Sequence, residues 1–149
     1  MTNPSAWDSV LQLLQEQQLG VLATNRHGHA YASLVAFAVT GDARGLYFAT
    51  TRATRKYHNL AEDQQVALLV DNRSNQSLVF YEAAAVSAYG QAEEVSSEAR
   101  EEALVLYLAK HPQLKAFASS PSTALFRITV ESYHLVQRFQ NVTEFRMGG

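Results

Sequence analysis

The stretch Ala30–Val39 alternates in two rows, and neither row is polar. Tyr31, Ser33, Val35, Phe37 and Val39 form one; Ala30, Ala32, Leu34, Ala36 and Ala38 form the other. Successive side chains of a β-strand point to opposite faces. A strand with two apolar rows is therefore not one with a freely solvated side. It belongs in the middle of a barrel, or beneath a partner or a ligand. Tight barrel packing accounts for the pattern. A row of alanines also lets something flat approach the backbone closely.

The flanking segments supply partners for that strand. Gly20–Asn25 reads as a strand, joined to it by a turn at Arg26-His27-Gly28-His29 in which Gly28 is the flexible residue. Thr40–Gly45 reads as a hairpin loop and Leu46–Thr50 as a third strand. A short helix through Tyr57, Leu60 and Ala61 closes at Glu62-Asp63, and Val66–Val70 is a fourth, apolar strand. Asp71–Gln76 is a polar loop. Glu82–Ala85 favours helix by propensity, but Val86–Glu93 alternates as a strand, and the spacing predicts a strand here. Ser96 or Ser97 caps a helix carrying Ala103, Leu104, Tyr107 and Leu108, and Pro112 opens a further helical turn ending at Phe117. Ala124 to Phe139 is a long strand expected to bend near Ser132. The tail after Gln140 keeps Val142, Phe145 and Met147 and is expected to pack on something, a second subunit included. At the start, Ser5 with Asp8 makes a capping-box pattern before the stripe Trp7, Val10, Leu11 and Leu14. Six strands at hairpin spacing with peripheral helices predict a mainly β protein built as a six-stranded antiparallel barrel, in one domain over residues 1–149.

Composition narrows what such a barrel does. The formal net charge of −2 argues against general attraction to nucleic acid or an anionic membrane, so a basic site has to be local. The absence of cysteine excludes disulfides, thiolate catalysis and cysteine-ligated metals. No apolar stretch approaches a membrane span, and Met1–Trp7 does not read as a secretory signal. The expected location is the cytoplasm.

One cluster concentrates positive charge. Thr50-Thr51-Arg52-Ala53-Thr54-Arg55-Lys56 places three cations and three hydroxyls in seven residues, between a strand and a helix start. Unpaired N–H groups at a helix N-terminus favour an anion. Arg offers forked contacts to phosphate oxygens, and Lys a point charge. A solvated loop with a Thr54 helix cap is the plain alternative. Elsewhere, His27 and His29 flank Gly28 without an evident third metal ligand, and His58 lies beside the basic turn. His134 stands alone on the last strand, as a structural residue or a haem ligand. Glu93-Glu94 and Glu101-Glu102 read as solvated faces. No catalytic constellation and no metal site is expected.

Leu46–Leu60, LYFATTRATRKYHNL, resembles the pyridoxamine 5′-phosphate oxidase-like, FMN-binding split-barrel superfamily. Gly20–Thr24 with Gly28, Tyr31–Phe37, Val66–Val70 and Gly90-Gln91-Ala92-Glu93 resemble further elements of that family in the same order. The resemblance implies a split barrel that forms a homodimer, with FMN in a groove at the subunit interface. It implies that Arg55 and Lys56 take the phosphate, with Thr50, Thr51 and Thr54 assisting and Arg52 in a more variable place. It implies that Ser33, Leu34, Val35 and Ala36 run along the flavin. The function implied is an FMN-dependent oxidoreductase with a small-molecule electron donor or acceptor. A non-catalytic flavin carrier and a haem-binding or sensing module are the alternatives on the same fold. Ala85 stands where the vitamin-forming oxidase has a Gln, and that enzyme's C-terminal Trp and Arg-x-His elements have no match. The resemblance is therefore to the small members, not to the vitamin-forming enzyme.

Overall fold

The computed structural model describes residues 5–73, 83–137 and 141–148. The expected polar loop beyond Arg73, the Glu82 start of the fifth strand, and the end of the long strand at Phe139 lie outside these residues. Helix α1 (Ala6–Glu16) begins as its sequence requires. The Ser5 hydroxyl accepts from the Asp8 N–H at 3.1 Å, and the Asp8 carboxylate accepts from the Ser5 N–H at 3.3 Å. Val10, Leu13 and Leu14 of α1 enter the main core.

Seven strands follow: β1 (Leu19–Arg26), β2 (His29–Val39), β3 (Gly45–Thr51), β4 (Gln65–Asp71), β5 (Ala84–Glu94), β6 (Thr123–Gln137) and β7 (Asn141–Arg146). They hydrogen-bond in the order β3-β2-β1-β4-β5-β6-β7, and β3 also pairs with β6. That last pairing closes six strands into an antiparallel barrel and leaves β7 as an added edge. Helix α2 (Arg55–Glu62) follows β3; α3 (Ser97–Lys110), a 3₁₀ turn at Pro112–Leu114 and α4 (Lys115–Ser119) lie between β5 and β6.

Local chemistry explains the connections. His27 and Gly28 have φ of 52° and 78°, the two positive values that a two-residue hairpin turn needs between Arg26 and His29. In β5, Ala84 and Ala85 are strand despite their helix propensity, because β4 and β6 hydrogen-bond the segment from both sides. At the expected bend of β6, Tyr89 opposes Ser132 and Gly90 opposes Val130, so Glu131 is extra. Its carbonyl accepts from the Met147 N–H at 2.8 Å. A Cβ on Gly90 would strike the Thr129 carbonyl oxygen. The C-terminal tail packs on its own chain: β7 joins β6, and the Phe145 ring sits 5.2 Å from that of Trp7.

Candidate functional site

The two rows of β2 meet different surroundings. Val35 and Phe37 point into the barrel and are buried. In the other row, Ala38 is buried under α3, whereas Ala30, Ala32 and Leu34 face outward uncovered, and Leu34 is 63% exposed. Barrel packing therefore accounts for only part of the apolar pattern. The open row continues across the outer sheet as Leu19, Leu69, Tyr89, Val136 and Val142, each at least about one third exposed. An open depression of about 560 Å³ lies on this face, lined by Leu19, Val21, Leu34 and Leu69, with Asp71 and Arg73 among its polar residues.

The ladder of β2 is complete on one edge and short on the other. It pairs with β1 from His29 to Ala36, but with β3 only through Phe37, Ala38 and Val39. Past Phe37 the two strands part. The Phe37 N–H donates to the Gln18 carbonyl on the β1 side. Because backbone groups alternate between edges, Ala36, Leu34, Ala32 and Ala30 turn theirs toward the gap. Among the described residues, no strand of this chain pairs with β2 along that stretch of its edge.

The basic turn closes the mouth of that gap. The Thr54 hydroxyl caps α2 by accepting from the Tyr57 N–H at 3.2 Å, and itself donates to the Thr51 carbonyl at 3.0 Å. The buried Thr50 hydroxyl lies 2.9 Å from that of Thr54. The three cations then divide. Arg52 reaches Glu94 at 2.7 Å and the Tyr57 hydroxyl at 3.3 Å, and these bonds raise its pKa. Glu94 also accepts from the Tyr57 hydroxyl at 3.3 Å. Arg55 is exposed, with its guanidinium 5.2 Å from the centre of the Tyr31 ring. Lys56 is half-buried, and burial lowers its pKa. Among the described residues neither Arg55 nor Lys56 has an ion-pair partner. Of the two, only Lys56 carries a desolvation cost. From Ala36 at the fork to Tyr31 under Arg55, the edge runs about 17 Å.

The sequence profile of the pyridoxamine 5′-phosphate oxidase family matches residues 6–137. The chain belongs to this family. Searching curated protein sequences gives no match. Among solved structures, this family member is similar to a haem-binding protein from Mycobacterium smegmatis: 19% identity, TM-score 0.85, with 98% of this chain and 60% of that one covered. Campylobacter jejuni ChuZ matches at 14% identity and a TM-score of 0.80, covering 99% of this chain and 62% of that one. An FAD-binding protein from Mesorhizobium loti matches at 17% identity and a TM-score of 0.69, covering 89% and 92%. The chain thus spans about 60% of the length of the first two. These likenesses establish the pyridoxamine 5′-phosphate oxidase-like fold.

Within this family member, the expected site residues fall in two groups around one gap. Ser33 and Val35 lie on the barrel side of β2 and Leu34 and Ala36 on its outer side, all beside the open edge. Thr50, Thr51, Thr54, Arg55 and Lys56 gather at the mouth, while Arg52 is turned away to Glu94. Ala85 pairs with Asp71 and Val136 on the outer sheet. The exposed His58 ring packs edge-on to Tyr57, and His27 lies 3.2 Å from Glu62. His134 stacks edge-on to Tyr89, with Nε2 3.9 Å from Glu144. Among the described residues no three His, Asp or Glu side chains gather as a metal site, and no helix is long and apolar enough to cross a membrane. Sequence reasoning missed Tyr107 of α3, which holds β2 at the fork, and His111 just past α3, which holds the β1 side of β2. Tyr107 donates to the Ala36 carbonyl at 3.2 Å and His111 to the Phe37 carbonyl at 2.7 Å. The only signal in the sequence was Tyr107 in an apolar helix stripe.

Proposed function

We propose that this protein binds flavin mononucleotide in the gap between β2 and the β3–α2 turn, and works as an FMN-dependent oxidoreductase. The observation that carries this reading is the pairing of one open strand edge with two cations at its mouth that have no ion-pair partner among the described residues. Arg55 and Lys56 would hold the phosphate, with the Thr50, Thr51 and Thr54 hydroxyls beside it. Ser33–Ala36 would run along the flavin, with Leu34 and Ala36 offering it open backbone groups. Bound flavin supplies the redox chemistry; the protein binds it, orients it and limits its contact with water. No side chain is required as acid or base for that chemistry. A homodimer across the outer sheet would cover Leu34, Leu69 and the alanine row, and a small electron donor or acceptor would enter beside the flavin. Membership of the oxidase family and the fold shared with an FAD-binding protein support this reading.

A haem-binding module is the second reading. It is favoured by the fold shared with a haem-binding protein and by His134, which stands partly exposed beside Glu144 on the outer sheet. Titration of the purified protein with FMN, riboflavin and haemin separates the two. Quenched flavin fluorescence, tighter for FMN than for riboflavin, supports the first. A Soret band without flavin quenching supports the second. Bleaching of bound flavin by NADH or NADPH under anaerobic conditions marks an enzyme, and inert flavin a carrier.

A further inference from the structure

The fork where β2 leaves β3 is held by one side chain from α3, Tyr107. Phe37 pairs with Phe48 and Ala38 with Tyr47, so the next rung would join Ala36 to Ala49, and it is absent. In its place the Tyr107 hydroxyl donates to the Ala36 carbonyl. The ring of Tyr107 is 1% exposed and packs among Ala38, Ala49, Ala103 and Leu125, so the hydroxyl is fixed. The other edge of β2 is held separately. His111 donates to the Phe37 carbonyl, and the Lys110 ammonium donates to the carbonyls of Leu14 at 2.9 Å and Gln17 at 2.6 Å, 3.9 Å from the Phe37 ring centre.

The hydroxyl therefore stands in for a missing β3 amide. It satisfies the one carbonyl that the broken ladder leaves at the inner end of the gap. With one lone pair of that carbonyl engaged, the group of Ala36 left wholly free toward the gap is its N–H donor. The cations sit at the opposite end, so a flavin whose phosphate they hold lays its ring toward the fork. The ring's carbonyl oxygens and unprotonated nitrogens are acceptors and suit a donor there.

We infer that Tyr107 is a positioning residue for the flavin ring: by capping the Ala36 carbonyl where β2 leaves β3, it fixes the strand edge and leaves a donor facing the ring. This rests on the flavin reading above. The hydroxyl acts through Ala36.

The test compares Tyr107→Phe and His111→Asn with the unaltered protein. Each is titrated with FMN and with riboflavin, and the absorption spectrum and midpoint potential of the bound flavin are recorded. Tyr107→Phe is expected to weaken both flavins equally, by about fivefold, the worth of one hydrogen bond. It is also expected to shift the spectrum and make the potential more negative, since an uncapped carbonyl opposes the negative charge that reduction adds. His111→Asn is expected to lower thermal stability and leave spectrum and potential unchanged. Unchanged affinity, spectrum and potential in Tyr107→Phe, with flavin still bound by the unaltered protein, overturns the inference and leaves the flavin reading intact. An unaltered protein that binds neither flavin overturns both. A measurement independent of variant folding is NMR of the unaltered protein with riboflavin. Shifts at the Leu34 and Ala36 amides and the Tyr107 ring support the inference, and their absence refutes it.

Discussion

Replacing Arg55 and Lys56 together by Ala removes the two cations at the start of α2 that have no ion-pair partner among the described residues, and leaves the Thr54 cap in place. The cost to folding is small. Arg55 gives up one exposed contact with the Tyr31 ring, about 0.5–1 kcal/mol. Lys56 is partly desolvated and has no ion pair to lose among the described residues. The cost to FMN binding is large. Each charge-assisted contact to phosphate is worth roughly 1.5–3 kcal/mol. Two such contacts give about 3–6 kcal/mol, or roughly 10²- to 10⁴-fold in dissociation constant. Riboflavin lacks the phosphate, so its affinity should not change. Arg52→Ala is the matched control. It breaks the contacts with Glu94 and Tyr57, an ion pair whose side chains are 40% and 34% exposed, and should cost stability of about 1 kcal/mol or less. Fluorescence titration with both flavins, beside thermal melts, reads every arm. Equal loss of FMN and riboflavin in the double variant, or a larger loss of FMN in Arg52→Ala, would refute the division of the three cations drawn above.

Other outcomes follow from the packing. Gly90→Ala forces a Cβ into the Thr129 carbonyl at the β6 bulge and should destabilise by roughly 1–3 kcal/mol, seen as a lower urea midpoint. Burial lowers the pKa of His111 from its ordinary 6.5, and its Nε2–H is committed to the Phe37 carbonyl. Its contribution to stability is thus complete above about pH 6.5 and is lost as pH falls and the unfolded chain takes a proton, by at most about 1.4 kcal/mol per pH unit. Melting midpoints between pH 7.5 and 5 should fall, and less so in His111→Gln; equal slopes in the two proteins would count against this. Leu69→Arg places a charge on the outer sheet and should raise the dissociation constant of a homodimer by roughly tenfold or more. Sedimentation that shows the same state in both proteins would remove that face from the interface.

Local chemistry made most of the barrel legible in advance. The Ser5–Asp8 cap, the His27-Gly28 turn and the Thr54 start of α2 each need only neighbours within three or four residues. The alternation in β2 marked the strand, but the expectation that neither face is freely solvated holds only toward Ala38, since Ala30, Ala32 and Leu34 lie bare. That division depends on where α3 crosses the strand. The same limit hid the fate of Arg52, whose partner Glu94 lies on another strand, and the role of Tyr107, whose acceptor is a backbone carbonyl 71 residues away. The apolar tail was visible, but its pairing with β6 was not, because an edge strand of this kind is set by the free side of its neighbour.

β6 joins β3 along its first half, β7 along its last, and β5 through nearly all its length. Thr50 and Thr51, which open the basic turn, are laddered to Ala124 and Thr123. The turn is therefore anchored by a strand that leaves the ribosome more than seventy residues later. Until it arrives, β3 has only the short three-rung ladder with β2, and a loop of that length must close before the barrel does. During synthesis the cation cluster waits without a fixed geometry. Assembly of the basic turn is thus deferred until β6 has been made.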